Sequence, residues 1–307
     1  MEPMAQSPRN FSYKKIVMAI EMGKNITRRT FLKTASKAAA GLVFSSGKLC
    51  AIAGENKSQQ EIDDLELYDF LMPRVRFTPL RNKGKGQGPD TWNVRPGGDA
   101  NLLNRLSAVI RCRTKPITGA NNWQPQYAAE GQLNAVVTFD SLEKIKKYPF
   151  LFMTGENSFQ LTDDQKYNLK DYIMRGGFLL MDDCVVGNGG DFFYQSAFRT
   201  LEKTFGKGAV QRIPNEHEVF HNVYDLGDTG LPTVDYINQK RPGGLPYMHG
   251  QNHGARGLFI GERLAVFLSS TDIHCGWCDS RGIEWGRANY EKAIEMGINI
   301  IMYAMSH

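Results

Sequence analysis

Three short stretches of this sequence hold side chains that could do chemistry. The first is Asp182-Asp183, a pair of carboxylates followed by Cys184 at the end of an apolar run. Such a pair can hold a cation or bind a ligand. Neighbours in an extended strand point to opposite faces, so both cannot look into one cleft while the strand continues. Capping the following turn competes evenly with ligand binding as their role. The second stretch is HEVFH at 217–221, a literal H-E-x-x-H. In zinc proteases two histidines one helical turn apart bind the metal and the glutamate acts as base. That geometry needs a long helix, and here Pro214 precedes the motif while Gly227, Gly230 and Pro232 follow it. A loop is the preferred reading, with His217 kept as a residue that could line a cleft. The third stretch is Cys275-Gly276-Trp277-Cys278, which has redox or metal spacing. His274 beside it could add a ligand, but one C-x-x-C supplies two of the roughly four ligands a structural zinc needs. The motif is expected in a Gly- and Asp-rich loop, as a disulfide or a pair of free thiols at Cys275 and Cys278.

The elements around these stretches decide what the side chains can reach. YPFLFMTG (148–155) and FLLMDD (178–183) are short continuous apolar runs, the pattern of buried strands. Between them, Thr162 and Gln165 form a capping box, Asp163 and Asp164 suit the first helical turn, and Gly176-Gly177 stops the helix. A strand–helix–strand unit of this kind is the crossover of a parallel sheet. A helix is expected over FFYQSAFRTLEKTF, two strands within 257–270, and a last helix at about 286–304. Further candidates are strands near 74–78 and 134–140, and a helix capped by Asp99. The alternation implies a doubly wound α/β domain with a mostly parallel sheet. Ligands in such sheets lie beyond the carboxyl ends of the strands. That rule selects Gly155–Asn157, then Asp182–Cys184, then Ser270–His274, and so Glu156, Asp182, Asp183, Asp272 and His274 become candidate ligand-binding residues together with His217.

The first 53 residues differ from the rest. They carry nine of the 37 Lys and Arg and two of the 32 Asp and Glu, which leaves 28 basic and 30 acidic residues, net −2, for the remainder. No basic stripe remains to argue for a nucleic-acid partner. Arg28-Arg29 opens TRRTFLK, a mildly apolar stretch follows, and Ala51-Ile52-Ala53 offers an A-x-A cleavage site before Gly54. Charged region, short apolar region and small-residue cut site describe a signal peptide, and the paired arginines point to the twin-arginine translocase. Translation could start at Met1 or Met22. The expected organisation is a leader over 1–53, a polar linker over 54–67 and one domain over 68–307, exported to the periplasm or beyond. NKGKGQGPD (82–90) lacks phosphate-loop order and reads as a surface loop.

The order FLMPRVRF, GDANLLNRL, YPFLFMTG, YIMRGGFLLMDDC, FYQSAFR, IPNEHEVFHNVYDL, STDIHCGW, EMGINIIMYAM resembles domain-of-unknown-function family 4159 across roughly 68–307. The resemblance implies a class I glutamine amidotransferase-like, flavodoxin-like fold and no particular reaction. Those amidotransferases place a nucleophilic cysteine in a tight turn after a strand. The comparable strand here ends MTGENSF, which puts Glu156 at that turn, and Cys184 lacks the flanking G-x-C-x-G pattern. A Cys–His–Glu amidase is therefore not expected. The leading expectation is a non-catalytic envelope module, without a cofactor, that binds an unknown envelope protein or a small ligand. Two rivals stay open. One is a metal-dependent hydrolase using Asp182, Asp183, His217 and His274, with zinc as the alternative cofactor and His217, His221 and His274 as its alternative ligands. The other is a redox protein using Cys275 and Cys278.

Overall fold

A computed structural model describes residues 64–80, 91–118, 132–184, 191–226, 253–278, 280 and 286–307. The expected leader, most of the expected linker and the 82–90 stretch lie outside the described residues. Along the chain run β1 (Arg74–Val75), β2 (Pro79–Leu80), α1 (Pro96–Ile110), β3 (Val136–Val137), α2 (Leu142–Ile145), β4 (Phe150–Gly155), β5 (Ser158–Phe159), α3 (Asp163–Met174), β6 (Phe178–Asp183), α4 (Phe192–Phe205), β7 (Val210–Arg212), β8 (Arg256–Ile260), β9 (Arg263–Ser269), α5 (Ile273–Cys278) and α6 (Arg287–Ser306). No helix among them is long and apolar enough to cross a membrane.

Seven strands form one sheet in the order β3-β1-β4-β6-β9-β8-β7. The first five are mutually parallel, and β8 runs against β9 and β7. The hairpin β8–β9 turns at Gly261, whose φ of 63° suits glycine. Numbered among themselves, the parallel strands have the order 2-1-3-4-5, which occurs in doubly wound sheets. Helices cover both faces because the strands are apolar on both. Phe150, Phe152, Phe178, Leu180 and Phe267 pack under α1, α5 and α6. Their alternating neighbours Leu151, Met153, Leu179, Met181 and Val266 pack under α3 and α4.

The central unit follows its local signals. β4 and β6 pair in parallel from Phe150 opposite Phe178 to Gly155 opposite Asp183. The Thr162 hydroxyl accepts from Gln165 N at 3.2 Å, and Gln165 Oε1 accepts from Thr162 N at 2.9 Å. Thr162→Ala should cost roughly 1 kcal/mol by urea denaturation. An unchanged midpoint would mean that packing alone holds the helix. Gly177 admits no side chain, since a Cβ there would lie 2.3 Å from the Tyr172 ring.

Residues 64–67, the last of the expected linker, are helical, and Asp64 pairs with Lys115 at 2.5 Å. One local expectation needs correction. Asp99 does not cap α1. That helix starts at Pro96, whose fixed φ suits a first helical position, and Arg95 before it takes a left-handed φ of 49°. Asp99 lies in the first turn and is drawn inward by a charge described below.

Candidate functional site at the carboxyl edge of the sheet

β4, β6 and β9 are neighbours, with Thr154 opposite Asp182 and Asp182 opposite Ser269. Their carboxyl ends therefore bring Glu156, Asp182–Cys184 and Ser270–Cys275 to one edge. Asp182 and Asp183 are both buried and serve opposite faces, as the pleat requires. Asp182 accepts from Ile273 N at 3.2 Å and His274 N at 2.9 Å, and so caps α5. Asp183 accepts from Tyr194 N at 2.8 Å in the first turn of α4. Both carboxylates hold helix starts. Burial pushes Asp182 up to about 7 and Asp183 well above the usual carboxylate range.

The C-x-x-C stretch is helical. A loop was expected because Gly276 and Asp272 break helices in isolation. The Asp182 carboxylate, from a neighbouring strand, supplies the missing cap, and Cys275 and Cys278 end up inside α5. Asp272, just before it, holds a φ of 56°, uncommon for any residue but glycine. Its Oδ1 accepts from Cys275 N at 3.2 Å.

Cys275 meets Cys184, not Cys278. The two sulfurs lie 3.4 Å apart, both buried. The Cys184 and Cys275 sulfurs and a carboxylate oxygen of Asp272 all fall within 4.8 Å of one another. The four described cysteines are free thiols. The hydrogen bond from Cys184 holds Cys275 well below the ordinary thiol range, and the Arg95 charge adds to it against burial. The same bond and burial push Cys184 up. Cys278 lies 3.5 Å from His274 O and is pushed up by burial. Glu156 completes this edge. Burial, then the Cys275 charge, raise its carboxyl to about 7, and its Oε2 has no hydrogen-bond partner among the described residues.

The family model for a domain of unknown function (DUF4159) matches residues 77–305. The chain belongs to this family. No curated protein matches it. The DUF4159 match takes in eight of the nine strands and the whole thiol–carboxylate edge, leaving β1 just upstream.

His274 has a different task within the DUF4159 domain. Arg74, from β1, donates through Nε to Asp99 Oδ2 at 2.8 Å and through Nη2 to Asp99 Oδ1 at 2.6 Å. Its other contacts go to the carbonyls of Trp92 and Val94 and, from Nη2, to His274 Nε2 at 2.9 Å. His274 Nε2 thus sits between Arg74 Nη2 and Asp99 Oδ1, 3.1 Å from the carboxylate, and its tautomer decides whether it accepts from the first or donates to the second. Burial and the Arg74 charge pull the His274 pKa down and keep the ring neutral. Arg74, Asp99 and His274 tie β1, α1 and α5 into one buried joint.

His217 and His221 are placed elsewhere. HEVFH forms a single 3₁₀ turn at Glu218–Phe220, not the long helix of a zinc protease. His217 Nδ1 accepts from Val219 N, and its ring packs on Phe259 and Tyr303. Tyr303 Oη accepts from Leu264 N near the start of β9. His217 therefore lies at the amino edge of the parallel strands, a strand length from Asp272 and His274, roughly 20 Å. His221 is held by Asp225 at 2.7 Å and by Asn215 O. Asp182, Asp183, His217 and His274 do not form one site, and neither do His217, His221 and His274.

A hollow of about 330 Å³ opens elsewhere, lined by Phe159 and Leu161 and by Lys166, Arg199 and Lys203. None of the candidate residues lies in it. The residues that sequence reasoning left out of its site are Cys184 and Arg95. The strand-end rule does select Cys184. The requirement for flanking glycines set it aside.

Proposed function

We propose that the mature chain is an exported, amidotransferase-like module of the cell envelope that binds a ligand at the carboxyl edge of its sheet and has no amidase activity. One observation carries this reading. The turn after β4, where an amidotransferase would present its cysteine, carries Glu156, with a buried carboxyl oxygen that has no hydrogen-bond partner among the described residues. An acyl-transfer nucleophile is missing at that turn, while an acceptor waits for a donor or a cation. The order of the parallel strands and the helices on both faces support the amidotransferase-like comparison. Arg28, Arg29 and the Ala51–Ala53 cut site support export.

The test is expression of the full chain in a bacterium with an active twin-arginine system. The expected product is periplasmic, begins at or near Gly54, and releases no ammonia from glutamine above background. Arg28→Lys with Arg29→Lys should hold the precursor in the cytoplasm. Glutaminase activity that disappears in Cys275→Ser, or a soluble cytoplasmic product with its leader intact, would overturn the reading.

A further inference from the structure

We infer that Cys184, Cys275 and Asp272 form a binding site for a single Zn²⁺ ion at the carboxyl edge of β6 and β9. The inference rests on the ligand-edge reading above and names the ligand.

The donor set is the first argument. Two thiolates and one carboxylate, all within 4.8 Å, suit a borderline-soft dication. Three protein ligands with one further position is the ligand count of zinc centres that also hold water or substrate. Glu156 flanks the set, near enough for its carboxyl to feel the Cys275 charge. The fourth position is left for water or substrate.

Sulfur spacing is the second. Zinc–sulfur bonds of about 2.3 Å in a tetrahedron put two sulfurs about 3.8 Å apart. A disulfide needs about 2.05 Å. The observed 3.4 Å lies nearer the first value. The donors are also rigidly carried. Cys184 directly follows β6, and Asp272 and Cys275 sit on a turn and helix fastened to β6 through the Asp182 carboxylate.

Charge is the third. Zn²⁺ with two thiolates and a carboxylate leaves one net negative charge. The Arg95 guanidinium, whose field reaches Cys275, Cys278, Cys184 and Asp272, offsets it. Binding sends the thiol protons to solvent, and the buried edge ends close to neutral. Cys278 is not a member, because its sulfur faces His274 O and Arg95 O.

The experiment loads the full chain, purified reduced and free of metal, with Co²⁺ alone and then competes it with Zn²⁺ alone. The expected result is one Co²⁺ per chain, a near-ultraviolet thiolate-to-cobalt band of two-thiolate intensity, and its loss at one equivalent of Zn²⁺. Cys184→Ser and Cys275→Ser should each weaken Zn²⁺ binding by roughly a hundredfold or more, beyond the 10–100-fold typical of residues behind the ligands. Asp272→Asn should weaken it by about tenfold or more, and Cys278→Ser should leave it unchanged. Since a cysteine variant could fail to fold, the wild-type cobalt spectrum stands as an independent reading. A reduced wild-type chain without that band, a loss in Cys278→Ser equal to that in Cys275→Ser, or isolation of the chain as a Cys184–Cys275 disulfide overturns the inference. A correctly exported chain that ignores Co²⁺ sinks the zinc site and leaves the exported module standing. A chain that binds Co²⁺ but is not exported does the reverse.

Discussion

Asp99→Ala will cost the domain roughly 3–5 kcal/mol, a large share of the about 5–15 kcal/mol that holds a typical domain folded. Arg74 and Asp99 are 0% and 1% exposed, and their two-pronged contact is the centre of a joint between β1, α1 and α5. Deleting the carboxylate strands a guanidinium that cannot lose its charge. It also removes the carboxylate that His274 Nε2 touches. The carbonyls of Trp92 and Val94 and the face of Phe152, 4.6 Å away, only partly compensate. Urea denaturation of the single variants and of Arg74→Met/Asp99→Leu separates pairing from packing. The double variant should recover most of the loss, because no unpaired charge remains inside. A loss below about 1 kcal/mol in the single variant would show that water reaches the joint.

The same joint sets an acid limit. Burial alone would raise Asp99, but the Arg74 charge and the bonds from His274 and Arg74 outweigh it and hold the carboxyl below its ordinary value. A depressed carboxylate stabilises the fold fully above the unfolded value of about 4. That stabilisation drains away as pH falls through the lower folded value. His274 acts in the same direction, since charging a buried ring kept neutral also opposes folding on acidification. Asp99→Asn should therefore flatten the fall of stability between pH 6 and 3 that the parent chain is expected to show by circular dichroism.

Trp277→Ala should be nearly as damaging, at roughly 3–5 kcal/mol. The ring is fully buried, tilts against Phe152 at 5.4 Å, meets His274 edge-on, and donates from Nε1 to Ala293 O at 2.8 Å. It pins α5 to α6. A Cβ on Gly297 would fall 3.0 Å from this ring and 2.7 Å from Leu102. Trp277→Phe keeps much of the volume but leaves the Ala293 carbonyl without its indole partner, and should cost about 1–2 kcal/mol. Hydrogen exchange should then show α5 and the Asp272 turn opening before the central strands. Equal protection across α5 in both variants would count against Trp277 as its anchor.

What was readable in the sequence was local. The apolar runs of β4 and β6, the Thr162–Gln165 box and Gly176-Gly177 all act within one helical turn or one strand. The predicted α4 agrees with Phe192–Phe205, and α6 came within a few residues of Arg287–Ser306. The joint was not readable. Arg74 is 25 residues from Asp99, Asp99 is 175 from His274, and an isolated charge reads by default as surface. The C-x-x-C stretch reads as a loop from its own letters, since its cap comes from Asp182, 91 residues upstream of Ile273. The HEVFH motif failed for the opposite reason. Its letters match a zinc helix, but only one 3₁₀ turn forms there, and both rings are spent on neighbours.

Cys184 and Cys275 stand 91 positions apart, each just beyond the carboxyl end of one of two paired strands, β6 and β9. A ribosome that has delivered the first thiol must still deliver three more strands before the second exists. Until then one flank of β6 is a bare, apolar template open to any passing chain. The two sulfurs thus come together only after β7, β8 and β9 have followed Cys184, and a transcript broken ahead of β9 leaves that flank of β6 uncovered.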